Sequence, residues 1–161
     1  MKTQIMVEGP DCSGKSMLVD RLKNTLHWDA KSLHHKPGDQ FHRYLQEYAF
    51  ADHLIFDRGH LSEHVYATLW RGGTPFSAEE RRLLDQIQAH QMLLIFVNPP
   101  LATLQQRYLR REFRQQISFE ELERSQQQFQ ETLQSLIHLV YTAQTYTELD
   151  LLVEKVKGSL S

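Results

Sequence analysis

One cysteine, Cys12, excludes an intramolecular disulfide and fits a reducing compartment. Charge of one sign is missing too. The chain carries 18 Lys and Arg against 20 Asp and Glu, with a formal net charge of −2 and no block of like charge. Non-specific electrostatic binding to nucleic acid is therefore not the favoured expectation, although a local basic patch is compatible with these numbers. The longest wholly apolar run, Met92–Val97, is far short of the roughly 20 residues that span a bilayer, so no membrane partner is expected. Met1–Val7 is too short for the apolar core of a signal peptide. Internal repeats are absent, and local bias is confined to glutamine around Gln126–Gln130. The 161 residues, 40% hydrophobic and 24% charged, suit one soluble, cytoplasmic domain with one core.

What the sequence does contain is an alternation of short apolar runs with amphipathic segments. Gln4–Glu8 reads as a strand ending at a glycine. The segment from Lys15 to about Leu26 places Leu18, Val19, Leu22 and Leu26 on one helical face. A weak strand is expected near Ala30–His34, a break at Pro37-Gly38, a helix over about 39–50, and a strand at Leu54–Phe56 ending on Asp57. Helices follow over about 61–70 and, from a Ser77/Glu80 capping box, to about His90. Met92–Val97 reads as a fully buried strand, and Asn98-Pro99-Pro100 turns the chain into a helix over about 101–111. A second capping box, Ser118/Glu121, opens a helix expected to reach about Leu139. A weak strand near 144–146 and a last helix from Thr147 complete the reading. The pattern predicts an α/β fold, three layers deep, with about five parallel strands covered by helices on both faces. Right-handed crossovers then put the strand C-termini, and any ligand, along one edge.

Gly9-Pro10-Asp11-Cys12-Ser13-Gly14-Lys15-Ser16 fits the phosphate-loop pattern G-x-x-x-x-G-K-[ST], and with it the expected fold is that of a P-loop NTPase. Glycines let the backbone curl so that successive N–H groups face one anion, and the following helix adds its N-terminal dipole. Lys15 can reach the β- and γ-phosphates of ATP, and the Ser16 hydroxyl can ligate Mg²⁺. Asp57, at the end of an apolar run, is the natural second Mg²⁺ ligand, directly or through water. Arg58 can bind an acceptor phosphate or the travelling phosphoryl group in bidentate fashion. Phosphoryl transfer needs positive charge around the transition state, yet the loop's variable positions carry none. Arg107, Arg110, Arg111 and Arg114 fall at helical spacing on one face and can supply it. Arg110 and Arg111 are the best candidates, in a lid-like segment over about 107–118. The histidine pair His60/His64, at i and i+4, lacks the further ligands that a metal site needs.

The segment Val7–Ser16 resembles the phosphate loop of thymidylate kinases, E-G-x-D-G-x-G-K-[ST], and Phe56–Tyr66 resembles their D-R-Y-x-x-S-x-x-A-Y signature. Lys36-Pro37-Gly38 is a weaker match to the R-E-P-G loop, and Asn98-Pro99-Pro100 with the arginines beyond it resembles the approach to the family's lid. The related deoxynucleoside kinases share the layout. By this resemblance Asp11 helps position the acceptor, and Lys36, Arg58, Ser62 and Tyr66 contact it; Ser62 and Tyr66 lie one helical turn apart. Phe41, Arg43 and Tyr44 are the other candidates for holding a base, with Tyr44 carried among the acceptor contacts. Glu8 is expected to cap or orient the loop. The sequence departs from the pattern at Gly59, at Cys12 and at His35-Lys36. It has one helix between Pro37 and Leu54 where the family has more, in the region of the base pocket and the dimer face. A homodimer stays open on that ground.

The reading is an ATP-dependent kinase of a (deoxy)nucleoside monophosphate, thymidylate first, with Mg²⁺ as the metal. The rival is a deoxynucleoside kinase. Those enzymes use a glutamate base after the second strand, whereas 30–38 contains no Glu or Asp, which favours an acceptor already ionised. A kinase acting on a hydroxyl of a nucleic-acid base or end, with the lid arginines as its basic track, is a further rival. A non-catalytic nucleotide switch is the alternative from another class, although no N-K-x-D motif is present.

Overall fold

The computed structural model describes residues 1–111 and 117–160. Its sheet has five parallel strands: β1 (Gln4–Glu8), β2 (Asp29–Ser32), β3 (Leu54–Asp57), β4 (Met92–Val97) and β5 (Leu139–Tyr141), in the order β2-β3-β1-β4-β5. Between and after them run α1 (Lys15–Leu26), α2 (Gln40–Ala49), α3 (His60–Trp70), α4 (Ala78–Gln91), α5 (Leu101–Arg110), α6 (Phe119–Leu133) and α7 (Tyr146–Leu160). The α/β class and the five-stranded sheet agree with the sequence.

Period-2 alternation divides the core into two layers. From β1, Ile5 and Val7 pack with Leu18 and Leu22 of α1 and with Leu149, Val153 and Val156 of α7. Met6 faces the other way, among Tyr44 and Tyr48 of α2, Leu61 and Val65 of α3, Leu84 of α4 and Phe129 of α6. Glu8 shares the parity of Met6, so its side chain is aimed at the α3 side of the sheet. Both expected capping boxes form, Ser77 with Glu80 and Ser118 with Glu121.

The last third of the chain corrects the sequence reading. Helix α6 stops at Leu133 rather than near Leu139, and the fifth strand is Leu139–Tyr141 rather than 144–146. Apolar residues at 136, 137, 139 and 140 continue a helical period by coincidence. A turn closed by the Leu136 N–H on the Leu133 carbonyl breaks it, and β5 then pairs with Ile95–Val97 of β4. The last helix starts one residue before Thr147, with Thr145 Oγ1 accepting the Glu148 N–H. Of the expected lid, 112–116 lie outside the described residues, and Arg114 with them.

Candidate active site

The central strand β1 delivers the phosphate loop. A Cβ on Gly9 would come within 2.5 Å of the Val97 carbonyl, so only glycine lets the loop cross the end of β4. Register places Asp57 opposite Val7 on the neighbouring strand, and the Arg58 N–H bonds the Val7 carbonyl at 3.0 Å. Motifs fifty residues apart in sequence thus meet at adjacent strand ends.

They open on one cavity of about 570 Å³, lined by the loop from Asp11 to Ser16, by His34, by Asp57 and Arg58, and by Arg107, Arg110 and Arg111. Five cations against two carboxylates make it electropositive within a chain of net charge −2. Lys15 lies at its floor, 8% exposed, donating to the Pro10 carbonyl at 3.4 Å. Burial, with Arg58 adding to it, lowers the Lys15 pKa to about 8. Ser16 is exposed to the cavity, and Asp57 Oδ1 is buried with no hydrogen-bond partner. An orphaned carboxylate oxygen and an exposed hydroxyl on residues lining one cavity fit a divalent cation such as Mg²⁺, which keeps most of its shell as water and phosphate oxygens. No larger cluster of His, Cys, Asp and Glu with metal-site geometry exists among the described residues.

Arg58 is held from two sides. Its Nη2 donates to Asp11 Oδ1 at 2.5 Å, and its guanidinium lies 5.1 Å from the centre of the Tyr66 ring, which stacks on Trp70. Glu8 fixes the turn that presents it. This fully buried carboxylate accepts the N–H groups of Gly59 (2.8 Å) and Ser62 (3.2 Å) and the Ser62 hydroxyl, capping α3 from another strand. Burial pushes the Glu8 pKa up, while Ser62, Gly59 and Arg58 pull it back. Gly59 follows from the same packing, because a Cβ there would sit 2.7 Å from Met6 Sδ and 2.9 Å from the Tyr48 hydroxyl. That hydroxyl accepts the His60 N–H and donates to His60 Nδ1, both at 2.9 Å, and His60 Nε2 meets Asp85 at 2.8 Å. Burial lowers the His60 pKa, so this bracing imidazole is neutral.

A second, smaller cavity of about 100 Å³ adjoins the first, and Arg58 and His34 line both. Its other walls include Ser62, Tyr66, and Glu63 with its two partners, His35 and Arg71, each 2.8 Å from Oε1. Ser62 and Tyr66, expected at the acceptor, line this second cavity. Two residues expected there do not. Tyr44 is wholly buried between Tyr48 and Phe76, because it lies on the core face of α2. Lys36 is exposed and lines neither cavity.

Arg107 does something that its helical spacing did not reveal. Its guanidinium donates to the carbonyls of Cys12 (3.3 Å) and Ser13 (2.7 Å) and to that of Ala143, strapping the phosphate loop to the segment between β5 and α7. Arg110 and Arg111 line the cavity beside it. The sequence reading put His34 at the end of a strand over 30–34 and so missed it as a lining residue, whereas β2 ends at Ser32 and leaves His34 in the loop beyond.

No protein-family model matches this sequence, nor does any curated protein. Solved structures do. The YorR protein of Bacillus subtilis, in complex with phosphorylated GDP, superposes with a TM-score of 0.83 at 19% identity, over 98% of this chain and 95% of that one. Deoxyadenosine kinase from M. mycoides superposes at 0.62 with the products dCMP and a flexible dCDP bound (14% identity, 96% and 99% of the chains). With dATP bound it superposes at 0.60 (15% identity, the same coverage). At these identities the likeness is one of fold, and this chain shares its fold with the YorR protein and with that deoxyadenosine kinase.

Proposed function

We propose that this protein transfers the γ-phosphoryl group of Mg²⁺-bound ATP to a nucleoside or a nucleoside monophosphate. The observation that carries the reading is the junction at Arg58. One cavity holds the phosphate loop, Lys15 and the unpartnered Asp57 oxygen, and the adjoining one opens across the same guanidinium. In this reading the loop and Lys15 bind the β- and γ-phosphates, and Ser16 and Asp57 hold Mg²⁺. Arg58, with Arg110 and Arg111, neutralises charge on the transferring group. Asp11 orients Arg58. Ser62 and Tyr66 face the acceptor, and among monophosphates the sequence resemblance ranks thymidylate first.

The test is ADP release from Mg-ATP with a panel of deoxynucleosides, nucleoside monophosphates and single-stranded DNA, beside a Lys15→Ala control. Turnover stimulated by a nucleoside or monophosphate and abolished in the control supports the reading. A panel that stimulates nothing while ATP still binds points to a nucleotide switch instead.

A further inference from the structure

Proton acceptors are few where the two cavities meet. Among the described residues lining the larger cavity they are Asp11, Asp57 and His34. Asp11 is committed to Arg58 at 2.5 Å, and the buried oxygen of Asp57 suits a metal ion. His34 has no such commitment on one side of its ring, and like Arg58 it lines both cavities.

Four contacts fix its position. Ser32, two residues earlier, pairs in register with Asp57. Leu33 is buried in the core, and its N–H bonds the Asp57 carbonyl at 3.2 Å. The His34 carbonyl accepts from Arg43 Nη2 at 2.6 Å, and its Nε2 meets Ser32 Oγ at 3.0 Å. In the tautomer whose Nε2–H donates to that hydroxyl, the lone pair lies on Nδ1.

We propose that His34 is the general base of the reaction, and hence that the acceptor is a sugar hydroxyl of a nucleoside rather than the phosphate of a monophosphate. The inference rests on the kinase reading above. His34 Nδ1 takes the hydroxyl proton as that oxygen bonds to the γ-phosphorus. The bond from γ-phosphorus to the β,γ-bridging oxygen breaks, ADP leaves with that electron pair, and the imidazolium returns its proton to solvent. A monophosphate oxygen, already ionised, would need no such group. Residues 30–38 offer no carboxylate, but an imidazole does the same work near neutral pH.

The experiment measures kcat and KM of wild type, His34→Ala and His34→Gln with deoxynucleosides and with monophosphates, together with the Kd for ATP. Expected are wild-type turnover of a deoxynucleoside and a fall in kcat of about 10²-fold or more in both variants. The ATP Kd should stay within about twofold, and free imidazole should partly restore His34→Ala. Wild-type turnover of monophosphates alone overturns the proposal and leaves the kinase reading standing. Wild-type kcat in His34→Gln, or loss that imidazole does not relieve, overturns it in favour of a positioning role. No turnover with any acceptor removes both.

Discussion

Burial gives Lys15 a pKa near 8 in the folded chain against 10.5 when unfolded. Between those values the unfolded state binds more protons, so the ligand-free protein gains stability as pH rises from 8 to 10.5. Below pH 8 the buried charge imposes its whole cost, which a bound triphosphate would relieve. Lys15→Met is therefore expected to raise the melting temperature of the ligand-free protein by about 2–6 °C at pH 7 while abolishing ATP binding. Calorimetry and an ATP titration measure the two effects. The wild-type affinity for ATP should weaken as pH passes above 8. Arg58 behaves differently, because its guanidinium, tied to the loop through Asp11, stands at the junction of the two cavities. Arg58→Ala should lower kcat by about 10²–10³-fold, with the ATP Kd within a few fold. A matching loss of ATP affinity would assign Arg58 to the donor instead.

The scale of elements shows what was legible in the sequence. The turn from Gly9 to Gly14 between β1 and α1, Asp57 at the end of β3 and both capping boxes are local patterns, each fixed by a few neighbouring residues, and each lies where the sequence put it. Pairing decides β5, not local preference, so its position shifted. Tyr44 shows the same limit, since a helical aromatic is core or pocket according to which face its neighbours cover. Arg107 and His34 depend on contacts between distant segments, Cys12–Ser13 with Ala143 and Ser32 with Asp57, that no spacing encodes. Glu8 was half legible: its parity with Met6 gives the direction, but its three donors belong to a segment about fifty residues on. Removing that carboxylate leaves buried N–H groups without partners. Glu8→Ala should cost about 2–4 kcal/mol in urea denaturation, and Glu8→Gln less, because an amide oxygen still accepts. Equal stability in Glu8→Ala would mean that water replaces the cap.

At the scale of the molecule, the site draws on β1, α1, the segment after β2, β3, α5 and the turn before α7, all at the C-terminal edge of one sheet. A ligand seated there would lie between α1, which packs in one layer, and Arg58, whose turn leads into α3 in the other. Binding should therefore protect the chain as a unit rather than a single loop. At 100 times its Kd, a non-hydrolysable ATP analogue with Mg²⁺ adds about 2.7 kcal/mol, or about 5–10 °C in melting temperature for a chain of this size. Chelating Mg²⁺ should remove most of that shift, because the triphosphate then meets Asp57 without the ion between them. Lys15→Met should melt higher than wild type when empty and show no shift with the analogue. A shift that survives chelation would detach Ser16 and Asp57 from metal binding and leave phosphate recognition to the loop, Lys15 and the arginines.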